Sequence, residues 1–98
     1  MAHTEVDVNE FTTALGENGQ LVDVREPAEV AAGMLPGAVN IPMSKFVERV
    51  TELDSARPVV LVCRSGNRSQ MAARFLSARG FEKVANLSGG LKALGMAG

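Results

Sequence analysis

Residues 58–62, Pro-Val-Val-Leu-Val, constrain the fold more than any other stretch of this chain. They are continuously apolar and rich in β-branched side chains. A strand exposed to water on one face would alternate; one covered on both faces need not. The run is too short for a helix and stops at Cys63, so it reads as the central strand of a covered, parallel sheet. Other segments fall into place around it. Residues 5–8, 20–26, 37–42 and 83–87 are further strand candidates, bounded by Gly, Pro and Asn. Between them lie helical patterns. One follows Asn9, a good cap residue, and closes on Gly16 and Gly19. A short one covers 28–32 and ends at Gly33. A third spans 44–53, with Phe46, Val47, Val50 and Leu53 expected on one face. A fourth spans 69–79, with Ala72, Phe75, Leu76 and Arg79 at helical spacing and Gly80 as its stop; a brief helical tail follows the double glycine at 89–90. This strand–helix alternation predicts an α/β fold: a parallel sheet of about five strands flanked by helices on both faces. Right-handed crossovers then bring every strand-to-helix loop to one edge.

Size and charge exclude several function classes. The chain has 98 residues, 46% of them apolar, which suits one domain over 1–98. A net charge of −1 gives no basis for nucleic-acid or anionic-membrane binding. No apolar run is long enough to span a bilayer. The polar, acidic start has no secretory pattern, so a cytoplasmic protein is expected. One cysteine rules out an internal disulfide, and one histidine, His3, leaves no basis for a metal site.

The loop after the central strand carries the chemistry. It reads Cys63-Arg64-Ser65-Gly66-Asn67-Arg68-Ser69. In open α/β sheets, ligands bind beyond the carboxyl ends of the strands. Cys63 lies there, and the next helix is expected to begin near Arg68 or Ser69. Its sulfur would face unpaired amide hydrogens and the positive end of a helix dipole. Gly66 lets the chain curl. Such surroundings lower a thiol's pKa and make it both nucleophile and anion site. Two plainer readings compete: a cysteine filling the core as a small hydrophobe, and a solvated basic turn.

The same residues resemble the rhodanese-domain family of sulfurtransferases. Cys-Arg-Ser-Gly-Asn-Arg-Ser is similar to that family's active loop. Residues 21–42, LVDVREPAEVAAGMLPGAVNIP, and 78–91, ARGFEKVANLSGGL, are similar to its other signatures, in the same order. The resemblance implies a rhodanese-like fold and a two-step transfer. Cys63 takes sulfane sulfur from a donor such as thiosulfate, becomes a persulfide, and passes the sulfur to a thiol, cyanide or a sulfur-relay protein. No cofactor is needed. The amides of 64–68 would stabilise the persulfide. Arg64 would hold an anionic donor. Arg68 would do the same or clamp the loop to a carboxylate. Ser65 and Ser69 would each donate to the sulfur or cap the helix, with capping the favoured role for Ser69. Asp23 and Arg25 would support the loop: Asp23 by bonding loop backbone or Arg68, Arg25 by pairing with Glu26, Glu29 or a partner loop. An ordinary surface ion pair is the alternative.

Two other functions bear on the same loop. Cysteine phosphatases place five residues between cysteine and arginine, whereas four separate Cys63 from Arg68 here, a smaller cup. Arsenate reduction by an internal disulfide relay lacks its second cysteine. A binding or regulatory module that kept the loop without turnover is the main alternative to a sulfurtransferase. The chain departs from the family pattern at Met34, where histidine is common, and at Leu94, where tryptophan is common. The first removes a polar anchor for a loop. The second puts a smaller side chain against the sheet.

Overall fold

A computed structural model describes residues 3–96. Five strands form one sheet: β1 (Thr4–Val6), β2 (Gln20–Asp23), β3 (Val39–Asn40), β4 (Val59–Val62) and β5 (Val84–Leu87). Their order is β1-β5-β4-β2-β3 and every pairing is parallel. The apolar run 58–62 is thus the middle strand. All its residues from Val59 to Val62 are fully buried, a burial that contributes roughly 1.5–3 kcal/mol for each side chain.

Among the described residues four helices lie between the strands, α1 (Phe11–Leu15), α2 (Pro27–Val30), α3 (Phe46–Arg49) and α4 (Asn67–Ala78), and α5 (Gly90–Ala93) follows the last strand. They cover both faces, as the alternation predicts. Strand residues point alternately to the two sides. Val59, Leu61 and Cys63 join Phe46, Ala72, Ala73 and Leu76 from α3 and α4. Val60 and Val62 join Leu91 of α5 on the other side, with Phe11, Ala14, Leu15 and Leu94 packed beside them. Leu94 therefore does the covering expected of a bulkier residue at its position.

Several boundaries differ from the sequence reading for local reasons. The first strand covers 4–6, not 5–8, because Asp7 opens a turn: its carboxylate accepts from the amides of Asn9 and Glu10 at 2.8 and 3.0 Å. Asp7, not Asn9, satisfies these amides, and Glu10 occupies the cap position of α1. Pro27 does not merely stop a strand; it opens α2, where a missing N–H costs nothing. Segment 44–53 is not one helix. Tight 3₁₀ turns at 43–45 and 50–52 flank the single turn of α3. Phe46 is buried there, with Val50 and Leu53 beside it. Val47, one position further round the turn, is 63% exposed. In α4, Arg79 follows the last helical residue and lies outside the core, its guanidinium 4.5 Å from the centre of the Phe75 ring.

Candidate active site

The loop after β4 sits at the carboxyl edge of the sheet, between the ends of β2 and β5. Helix α4 begins at Asn67, earlier than residues 68–69, because Gly66 makes the whole change of direction by itself. It occupies the left-handed region at φ 96°. A side chain there would be strained by the backbone and would meet the Gly89 nitrogen at 3.1 Å and the Leu87 oxygen at 3.2 Å. The earlier helix start brings Ser69 into the first turn, beside the sulfur.

Three donors converge on Cys63 Sγ. They are the Gly66 amide at 3.1 Å, the Ser69 amide at 3.4 Å and the Ser69 hydroxyl at 3.3 Å. Burial is the largest single influence on the thiol and pushes its pKa up. The hydrogen bonds from the Ser69 hydroxyl and from the amides of Ser69, Gly66 and Ser65 together outweigh it, so the thiol is held below its ordinary value. The sulfur is nonetheless enclosed, with Cys63 0% exposed. Core filling and an amide cup, contrasted in the sequence reading, occur together at this residue.

The loop carbonyls are turned the other way. Cys63 and Arg64 oxygens accept from the amides of Leu91 and Lys92 at 2.9 and 3.1 Å, at the start of α5. This contact requires Gly90: a Cβ there would lie 2.5 Å from both oxygens. The double glycine thereby lets α5 gather the carbonyls while the amides face the sulfur.

The remaining expected site residues divide. Arg64 and Ser65 are exposed at the mouth of the loop, as is Asn67. Arg68 takes the second of its two expected roles. Its guanidinium bonds both carboxylate oxygens of Glu29 on α2, at 2.6 and 2.8 Å. The Arg68 fork beside it is the main reason that Glu29's pKa falls to about 2. Glu29 also accepts from the Glu26 amide, and Glu26 in turn accepts from the Ser44 hydroxyl at 2.6 Å. Loop, α2 and the turn before α3 are thus tied together.

Ser69 does not cap α4. Gly66 holds the cap position without a side-chain bond, and the fully buried Ser69 hydroxyl goes to the sulfur instead. Asp23 does not bond Arg68, but it does bond loop backbone: its Oδ1 accepts from the Arg25 amide, just beyond β2, at 3.0 Å. It pairs with Arg25, whose Nε and Nη2 donate to the carboxylate at 2.8 to 3.1 Å. Arg25 likewise pairs with neither Glu26 nor Glu29. Its second partner is the Gly33 carbonyl at 2.7 Å. Both side chains are buried, so the surface-pair alternative fails as well. The Gly33 bond anchors the loop in which Met34 replaces a polar residue, and Met34 itself is 37% exposed. Among the described residues no cluster of three or more His, Cys, Asp or Glu could hold a metal ion. No described helix is long and apolar enough to cross a membrane.

Sequence reasoning offered Glu29 only as a partner for Arg25, not for Arg68, and missed Asn86. Glu29 is 39 positions from its partner Arg68. Asn86 lies in β5, 20 positions from Gly66, to whose carbonyl its Nδ2 donates at 3.1 Å. The one available signal was an amide inside the apolar run Val84-Ala85-Asn86-Leu87.

Known proteins resemble this chain in sequence and fold. The sequence profile of the rhodanese-like domain matches residues 7–97. A sulfurtransferase of Allochromatium vinosum is 42% identical over 89 residues, covering 89% of this chain and 83% of that protein. The thiosulfate sulfurtransferase GlpE of Pseudomonas syringae is 37% identical over 84 residues, 85% of this chain and 79% of that one. The crystal structure of reduced Bacillus anthracis CoADR-RHD superposes with a TM-score of 0.85 at 35% identity. That match covers 95% of this chain and 16% of the longer one.

Proposed function

This chain belongs to the rhodanese-like domain family, and from that premise we propose that it is a sulfurtransferase working through a persulfide on Cys63. The observation that carries the reading is the convergence of the Gly66 amide, the Ser69 amide and the Ser69 hydroxyl on one sulfur. Hydrogen bonds from fixed donors favour the thiolate, which is the nucleophilic form.

In the first step the Cys63 thiolate attacks the outer sulfur of a donor such as thiosulfate. A bond forms between Sγ and that sulfur. The donor's S–S bond breaks and its electron pair leaves with sulfite. Cys63 then carries a terminal persulfide anion, which loop amides can stabilise as an oxyanion hole stabilises oxygen. In the second step a thiolate or cyanide attacks the terminal sulfur, and the Cys63 thiolate departs with the bonding electrons. No external oxidant or reductant enters either step. Arg64, exposed and without a side-chain partner among the described residues, suits the capture of an anionic donor at the loop mouth. Arg68 holds the loop to α2 through Glu29. Because Cys63 is fully buried, a donor reaches the sulfur only through local opening of its surroundings. The same proposal includes a single functional domain over 1–98, a cytoplasmic setting, and delivery of sulfur to a small thiol or a relay protein. The four-residue spacing and the engagement of Arg68 by Glu29 speak against phosphoryl transfer, in which that arginine would grip the substrate.

Mass spectrometry tests the reading. Incubation with thiosulfate should add one sulfur, about 32 Da, to the wild type as a persulfide and nothing to Cys63→Ser. A wild type that gains no sulfur from thiosulfate, glutathione persulfide or a cysteine desulfurase would instead be a binding or regulatory module.

A further inference from the structure

Strand β5 contains a polar residue that its own packing does not require. Val84, Ala85 and Leu87 are apolar and buried, and Asn86 between them is 1% exposed. Its Oδ1 is buried with no hydrogen-bond partner. An orphaned acceptor of this kind costs roughly 1–3 kcal/mol. An aliphatic side chain of similar size would avoid that cost. What the amide gains lies at its other end. Nδ2 donates to the Gly66 carbonyl at 3.1 Å and to the Glu5 carboxylate at 2.9 Å. The Ser88 hydroxyl donates to the same Glu5 oxygen at 3.0 Å.

Gly66 is the residue whose left-handed backbone turns the loop. Its own amide points at Cys63 Sγ, while its carbonyl accepts both from Asn86 and from the Gln70 amide at 3.2 Å. Held at its carbonyl from two directions, Gly66 cannot rotate to present oxygen to the sulfur. We propose that Asn86 is a positioning residue of this active loop: its buried amide, braced by Glu5, holds Gly66 so that the loop amides stay aimed at Cys63. This rests on the reading of Cys63 as the nucleophile and extends it to a residue on a different strand, outside the loop.

The critical variant is Asn86→Leu, with Asn86→Ala as a second. Gly66 O keeps Gln70, and the Glu5 oxygen keeps Ser88, so neither acceptor is stranded. The readout is the pH dependence of Cys63 alkylation by iodoacetamide, followed with circular dichroism as the check on folding. Loss of the brace should raise the alkylation midpoint by about one pH unit, a tenfold change in thiol acidity. Glu5→Gln, which retains an oxygen for Nδ2, should stay near the wild-type midpoint. A folded Asn86→Leu or Asn86→Ala protein that titrates like wild type would overturn the proposal and leave Asn86 a structural residue only. Should neither variant fold, the wild-type side-chain amide resonances of Asn86 decide. They shift through the Cys63 titration if the Gly66 link operates and stay fixed if it does not. The two readings fail separately: sulfur loading of wild type does not depend on the Asn86 result, and a shifted midpoint in Asn86→Leu does not require turnover.

Discussion

Ser69→Ala removes one donor from the sulfur and almost nothing else. The hydroxyl is fully buried and its only side-chain bond is the 3.3 Å contact to Cys63 Sγ. It is also the strongest of the influences that lower the thiol's pKa. Hydrogen bonds to charged groups contribute about 1.5–3 kcal/mol. A long contact to a diffuse sulfur anion belongs at or below the bottom of that range. About 1.4 kcal/mol corresponds to one pKa unit. The amide donors remain, so Ser69→Ala should raise the Cys63 midpoint by roughly one unit without restoring a free thiol's behaviour. Near neutral pH, alkylation by iodoacetamide should slow by up to tenfold, while the rate at the high-pH plateau stays close to wild type. Stability should fall by roughly 1–1.5 kcal/mol where the thiol is ionised, the counterpart of that shift, and by less where it is protonated. The assay is a series of pseudo-first-order alkylation rates across pH, with thermal melts alongside. An unchanged midpoint in a fully folded variant would refute the assignment of Ser69 as a sulfur donor.

Two further outcomes follow from the same geometry. Glu29→Gln should flatten the acid limb of the stability curve. Glu29's folded pKa is lowered from 4.5 to about 2, so its stabilisation is present above the unfolded value and fades as pH falls toward the folded one. With both partners of the Arg68 pair partly exposed, solvent screening limits the loss at neutral pH to about 1 kcal/mol, measurable by urea titration at pH 7 and pH 3. Gly90→Ala should cost more than about 2 kcal/mol, since its φ of 62° is unfavourable for alanine and the new methyl would press on the Cys63 and Arg64 carbonyls at 2.5 Å. Urea unfolding at constant m-value checks this, and a near-neutral result would mean that α5 yields without loss.

Sequence periodicity made the sheet legible because burial on both faces leaves an unbroken apolar run, as in Val59–Val62, and because Gly and Pro mark the turns. It was less informative over residues 43–52, where 3₁₀ and α turns alternate around the buried Phe46. The surroundings of Cys63 were legible because the thiol and the amides that face it are close together in the chain. The partners of the Cys63 loop were not. Glu29 reaches Arg68, and Asn86 reaches Gly66, only because parallel strands bring distant segments to one edge. Asp23 and Arg25 were expected to support the loop, but their choice of each other depended on burial that spacing does not reveal. Ser69 passed for a helix cap because the helix start was placed two residues late; with Gly66 as the cap, its hydroxyl is free for the sulfur.

The central claim is that fixed donors from the loop hold Cys63 as an anion. The chain has one cysteine, so thiolate ultraviolet absorbance followed across a pH titration of the wild-type protein reports that sulfur alone. The midpoint should fall clearly below the value of about 8.5 typical of a free cysteine. A midpoint at or above that value would mean that burial outweighs the amide cup, and the account of this loop would be wrong.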